Sequence, residues 1–140
     1  MAKQTVVQTS GKKKTAVARL TLKPGVGDIK INGVPLQQLT PKAAQTIINE
    51  PIVIAKDILG EDFAKQIDVQ INTNGGGTMG QSFAARTALG AALTEYSQND
   101  DLKKTYNAYD RTLLHSDTRV KESKKFLRKG ARAKPTKSYR

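Results

Sequence analysis

The segment Gly75-Gly76-Gly77-Thr78-Met79-Gly80-Gln81-Ser82 has the spacing of a phosphate-binding loop, G-x-x-x-x-G-K-[ST], and lies between a strand pattern and a helix pattern. The lysine of that motif places a cation on the β- and γ-phosphates, and Gln81 stands in its place. No apolar strand ending in Asp offers a metal-binding partner, and 140 residues is short for a nucleotide-hydrolysing core. Two other readings remain. The glycines permit a left-handed turn and close strand–helix contact, the favoured reading. Alternatively, amides at the helix N-terminus hold an RNA phosphate. His115 is the only histidine and follows two leucines, so it reads as a packing residue. Asp100 and Asp101 open a helix, where they offset its dipole. No catalytic residue, metal ligand or cofactor is assigned. The absence of cysteine removes disulfides and Cys-based zinc sites.

Charge carries more information than any of these. The chain has 24 Lys and Arg against 12 Asp and Glu, a net charge of +12. Residues 1–23 hold six basic residues and no acid; residues 118–140 hold ten basic residues and one acid, Glu122. The middle keeps eight basic and eleven acidic residues, about −3, against about +15 for the two ends. A near-neutral body with two basic arms fits a dense polyanion, because each neutralised phosphate releases condensed counterions. A membrane patch would bring an amphipathic face or a lipidation site, and the tail has neither. No apolar run nears the roughly 20 residues of a membrane span, and residues 1–14 lack a secretion signal, so an intracellular protein is expected.

The candidate binding residues are cationic. Lys12, Lys13 and Lys14 lead into the first clearly alternating strand, and Arg19 lies on that strand's polar face. The tail carries Arg119, Lys121, Lys124, Lys125, Arg128, Lys129, Arg132, Lys134, Lys137 and Arg140, interleaved with Phe126 and Tyr139. Extended, its 23 residues reach about 75 Å, enough to thread between RNA helices. Lys and Arg bind phosphates, and Arg or Tyr can stack on unpaired bases. No heptad, finger or recognition-helix pattern points to reading of DNA sequence.

These residues need a body to present them. Thr15–Lys23 alternates, with Ala16, Ala18, Leu20 and Leu22 on one face, which predicts a half-buried strand. Pro24–Asp28 is turn chemistry, and Ile29 and Ile31 form a second strand ended by Asn32-Gly33; together they predict a hairpin. Thr5–Thr9 reads as a further edge strand. Thr40 is expected to cap a helix with Pro41 at its first position, running to Asn49. Pro51 is expected to interrupt it, leaving a second helix over Ile52–Leu59 ended by Gly60. Ile67, Val69 and Ile71 alternate as another strand. A helix over Thr78–Ser97 presents Phe83, Ala85, Ala88, Leu89, Ala92, Leu93 and Tyr96, and a last helix over Asp100–Tyr109 presents Leu102, Tyr106 and Tyr109. The sum is an α+β two-layer sandwich with its core between Val6 and Leu114. Residues 1–117 form the docking domain with its basic N-terminal segment, and 118–140 an extended basic tail, disordered when alone.

Gly11-Lys12-Lys13-Lys14-Thr15-Ala16-Val17-Ala18-Arg19 resembles the entry motif of the universal ninth protein of the small ribosomal subunit. Ile31–Pro35, Gly75–Gln81, Tyr109–Leu114, Asp117–Arg119, Gly130–Ala133 and Lys137–Arg140 match that family in order, over essentially the whole chain. The ending Lys-Ser-Tyr-Arg is similar to the archaeal and eukaryotic type. Leu127-Arg128-Lys129 stands where the family usually has glycines, and Pro135-Thr136 replaces an aromatic or basic residue plus Gln.

The resemblance implies the fold shared with a domain of the fifth small-subunit protein, including a left-handed βαβ crossover. It implies binding to the 3′ major domain of small-subunit rRNA in the head, beside neighbouring head proteins, in a cytoplasmic ribosome. The tail would run to peptidyl-site tRNA, with Arg140 and then Lys137 against the anticodon stem-loop. Lys124, Lys125, Arg128, Lys129, Arg132 and Lys134 would line the rRNA path, joined by Lys12, Lys13, Lys14, Arg19 and Arg119. No enzyme activity, small-molecule substrate or membrane partner is implied. Two rival readings stay open: a P-loop-like enzyme, and a non-ribosomal nucleic-acid chaperone or DNA-compaction protein.

Overall fold

The computed structural model describes residues 6–139. Among the described residues five strands form one sheet in the order β1-β2-β5-β3-β4: β1 is Val7–Lys13, β2 Ala16–Pro24, β3 Ile29–Ile31, β4 Val34–Pro35 and β5 Ile67–Asn74. Every pairing is antiparallel except β3 with β5, which run parallel and are joined through the helix α1, Lys42–Leu59. Helix α2, Thr78–Ser97, packs on β1, β2 and α1, and α3, Asp100–Tyr109, packs on both helices. The architecture is α+β in two layers.

The alternation read in β2 and β5 is the alternation of burial. Ala16, Ala18, Leu20 and Leu22, with Ile67, Val69 and Ile71, point into the core, which runs from Val7 to Leu113. Val6 is half exposed and lies outside it. The edge strand expected over Thr5–Thr9 is β1, and it continues to Lys13; Thr5 lies outside the described residues. Lys12 and Lys13 are therefore strand residues and Lys14 occupies the turn, with a positive φ of 54°.

The expected β2–β3 hairpin does not form, because β5 lies between the two strands. The backbone groups of the 25–28 turn find their partners on β5 and the residue before it. Gly25 N donates to Gln66 O (2.8 Å), Val69 N donates to Asp28 O (2.8 Å), and the Asp68 carboxylate accepts from Val26 N (2.8 Å) and Asp28 N (3.2 Å). The Asn32-Gly33 turn does close a hairpin, with β4; φ values of 49° and 83° are those its two-residue loop requires.

Helix α1 also departs from expectation. It begins at Lys42 with Pro41 in the capping position and no side-chain cap, while Gln45 Nε2 ties the preceding turn by donating to Leu39 O (2.5 Å). It passes through Pro51 without a break. An interior proline costs about 3 kcal/mol. Ala44, Ile48, Ile52 and Ala55 form one buried stripe across it, and burying apolar side chains contributes about 1.5–3 kcal/mol each for the larger ones.

Helix α2 is buried on nearly all sides from Ser82 to Leu93, between the sheet, α1 and the Arg111–Leu113 turn. Ala84, Arg86 and Thr87 are buried as well as the expected face, whereas Phe83 is partly exposed. The strand–helix approach is closest at Gly11, where a Cβ would run into the backbone carbonyl oxygen of Ala84. In α3, Leu102 and Tyr106 are buried and Tyr109 is exposed, its hydroxyl donating to Glu50 Oε1 (2.5 Å). Asn99 caps α3 by accepting from Asp101 N (2.8 Å), with Asp100 and Asp101 in the first turn as expected.

Candidate nucleic-acid interface

The tail leaves the body beside the end of β1. Asp117 forms an isolated parallel bridge with Lys13, and Lys12 N donates to Ser116 Oγ (3.1 Å). The Asp117 carboxylate accepts from Lys13 Nζ, from Arg119 Nε (3.0 Å) and Nη2 (2.9 Å), and from the Arg119 amide (2.9 Å). The Arg119 and Lys13 donors hold this carboxyl far below the usual carboxylate range, and the same pairing raises Arg119. Lys13 Nζ also stands 5.7 Å from the centroid of the partly exposed Phe83 ring, a cation–π contact.

Two of the cations singled out in the sequence are thus held by one carboxylate, so a phosphate meets them only beside Asp117 or in exchange for it. Sequence reasoning misses Asp117 as a member of this site. Its one signal is its place: it is the last acid before a run of ten basic residues broken only by Glu122.

Beyond Asp117 no helix or strand follows among the described residues. Lys121, Lys124, Lys125, Arg128, Lys129, Lys134 and Lys137 are exposed, and none has a carboxylate within ion-pair distance among the described residues. Arg132 is the exception, its Nε donating to Glu122 Oε2 at 3.1 Å. Phe126 and Tyr139 stand almost fully in solvent. Turns at 125–128 and 130–133 bend the path, and Leu127 adopts a positive φ of 55°. Arg140 lies outside the described residues.

Lys12, Lys14 and Arg19 are exposed on the body. Arg19 lies on the sheet face turned away from α1 and α2, in a cross-strand row with Ser10 and Asn72. Its row is set back along β1 from Lys13 at the tail root, so the sheet does not gather all the body's cations into one patch.

The glycine loop closes on itself. Gly75 and Gly76 have φ values of 74° and 65°, and a Cβ at either would press on Thr15 O or Ala16. Gln81 Nε2 donates to Gly75 O (3.1 Å) and its Oε1 accepts from Thr73 Oγ1 (3.2 Å). The residue standing where a P-loop lysine belongs is spent on bracing the loop, which is the tight-packing reading. His115 is exposed, not packed as expected, because Leu113 alone of its neighbours turns fully inward. No cluster of three metal-ligating side chains occurs among the described residues.

A buried cation is a second residue that sequence reasoning misses. Arg86, 5% exposed, reaches from α2 to Glu50 of α1 (Nε–Oε2 2.5 Å) and to Asp110 at the end of α3, with Nη1 and Nη2 each 3.0 Å from Oδ2. Burial pushes Asp110 up, but donors from the Thr112 amide and hydroxyl and from Arg86 outweigh it and leave it lowered. This network holds the Arg111–Leu113 turn, a few residues before the tail root at Asp117.

A family model described as "Ribosomal protein S9/S16" matches residues 11–140. A protein of Methanothrix thermoacetophila named "Small ribosomal subunit protein uS9" is 48% identical over 135 residues, 96% of this chain and 98% of the relative. A protein of the same name from Methanococcus vannielii is 46% identical over 137 residues, again 96% and 98% of the two chains.

Proposed function

Because the chain belongs to the ribosomal protein S9/S16 family, we propose that it is a structural constituent of the small ribosomal subunit whose body docks on folded rRNA and whose tail threads between rRNA helices. The family is one of ribosome constituents, and the chain is not an enzyme. Its place is the head, on the 3′ major domain of small-subunit rRNA and beside other head proteins. Residues 1–117 act as the docking domain and 118–140 as the tail. The β3-α1-β5 unit takes the left-handed crossover implied by the family resemblance.

One observation carries this reading. The cations of the tail beyond Arg119, Arg132 aside, stand exposed and without carboxylate partners among the described residues, on a chain rooted to the body by Asp117. So many exposed charges on a segment with nothing to bury are unfavourable to order alone and are stabilised by a polyanion. Lys124, Lys125, Arg128, Lys129 and Lys134 neutralise rRNA phosphates along the path, with Arg132 joining as it leaves Glu122. Lys12, Lys14 and Arg19 serve the body, and Lys13 and Arg119 serve beside Asp117. Lys137 and Arg140, at the far end, contact peptidyl-site tRNA. Every step is binding and positioning.

The test is deletion of Lys137–Arg140. Small subunits should assemble at normal yield in sucrose gradients and bind peptidyl-site tRNA more weakly. Failure to assemble would contradict the division between an rRNA-docking body and a tRNA-reaching tip.

A further inference from the structure

The sheet has a face that no helix covers among the described residues. Helices α1 and α2 lie on one side, and strand alternation sends the intervening residues to the other. The register sets these in rows: Ser10, Arg19 and Asn72 in one, and Thr21 beside Gln70 in the next. None of these five side chains has a hydrogen-bond partner among the described residues, so the face is an array of unused donors and acceptors. Lys12 and Lys23 add charge at its margins, and Lys30 is paired with Asp28. The face's one carboxylate on β5, Asp68, is committed to the amides of the 25–28 turn. The face is therefore cationic.

Its chemistry disfavours two kinds of partner. It carries no aromatic ring, so it offers no stacking platform for unpaired bases. Val17 is its only aliphatic side chain on β2, so it lacks the apolar or aromatic anchor on which protein interfaces rest. What it does offer are hydroxyl and amide groups that both donate and accept. The wide, shallow minor groove of an A-form RNA helix displays rows of 2′-hydroxyls, also donors and acceptors, flanked by phosphates. β1, β2, β5 and β3 span about 14 Å at the usual strand spacing, enough to cover such a groove.

We propose that this open face binds the minor groove of a base-paired rRNA segment, with Ser10, Thr21, Gln70 and Asn72 on 2′-hydroxyls and Arg19 on a flanking phosphate. The proposal rests on the ribosomal reading and deepens it: it names the surface by which the body docks, and the RNA feature that surface takes, apart from the tail.

The experiment places a photo-crosslinking residue at position 70 of the full chain, assembles it into small subunits, irradiates and maps the product, with the same residue at position 129 of the tail as a control. A crosslink to a base-paired stretch of rRNA is the expected result. A crosslink to a ribosomal protein or to unpaired rRNA overturns the proposal, as does no crosslink from 70 when 129 gives one. In parallel, Gln70→Glu with Asn72→Asp should reduce uptake into subunits at least about tenfold by opposing phosphate charge, with thermal unfolding unchanged. Unaltered uptake also overturns it. Failure of the unmodified chain to sediment with small subunits would instead sink the ribosomal assignment, so the two failures are distinguishable.

Discussion

Replacing Arg86 with alanine should destabilise the protein far more than any other loss of a single cation. The guanidinium is buried, and its fork spans Glu50 on α1, Asp110 after α3 and Thr112 in the following turn. Removing one partner of a buried ion pair costs about 3–5 kcal/mol, because the remaining charge is left uncompensated. Here two carboxylates would be left without their shared cation. They are 28% and 35% exposed, so water takes over part of the loss. The lower end, about 3 kcal/mol, is the reasoned value. With an unfolding entropy of about 2.1 cal/mol/K per residue, that lowers Tm by about 10 °C. Arg86→Lys keeps the charge but cannot serve both carboxylates, and should recover about half. The triple substitution Arg86→Met, Glu50→Gln and Asp110→Asn removes the stranded charges together with the cation, and should lie closer to the parent than Arg86→Ala. Urea and thermal unfolding followed by circular dichroism measure all three variants. A loss below about 1 kcal/mol for Arg86→Ala, the size of an exposed pair, would refute the claim that this network ties the helices together.

Other outcomes follow from the same geometry. Asp117→Asn releases Lys13 and Arg119, so binding to non-cognate RNA should tighten and its salt dependence steepen by about 0.7–0.9 in log–log slope per phosphate gained; an unchanged slope between about 50 and 200 mM salt would show those cations were never held back. Asp117, Asp110 and Asp68 all have lowered folded pKa values, so the folded state binds fewer protons than the unfolded chain, whose carboxyls titrate near 3.8. Their stabilisation is fully present above that value and is lost as pH falls below it. Urea midpoints should therefore be insensitive to these groups between about pH 5 and 7 and fall below about pH 4. Gly11→Ala drives a methyl group into the Ala84 carbonyl and must push β1 off α2, costing about 1–3 kcal/mol in unfolding measurements.

The elements that succeeded as sequence readings share one property: their pattern reports burial on a single face. β2 and β5 alternate because one side packs on helices and the other does not, and the residues of α3 that face inward, Leu102 and Tyr106, are spaced one helical turn apart. The readings that failed needed knowledge of a neighbour. Pro51 looks like a stop until a buried stripe is seen to cross it. The turn at 25–28 looks like a hairpin until β5, some forty residues later, takes its hydrogen bonds. Helix α2 shows little amphipathic pattern because it is enclosed on nearly all sides, so its buried Arg86 leaves no local signal.

By itself the sequence determined the α+β class, the charged arms, the absence of a P-loop lysine and the family motifs, because composition, alternation and local spacing are properties of neighbours along the chain. Tertiary structure decided the sheet order, the partners of Arg86 and the carboxylate that roots the tail. Lys13 and Asp117 are 104 residues apart. A hydrogen bond across such a separation depends on where the whole fold brings the chain back, and no local pattern records that.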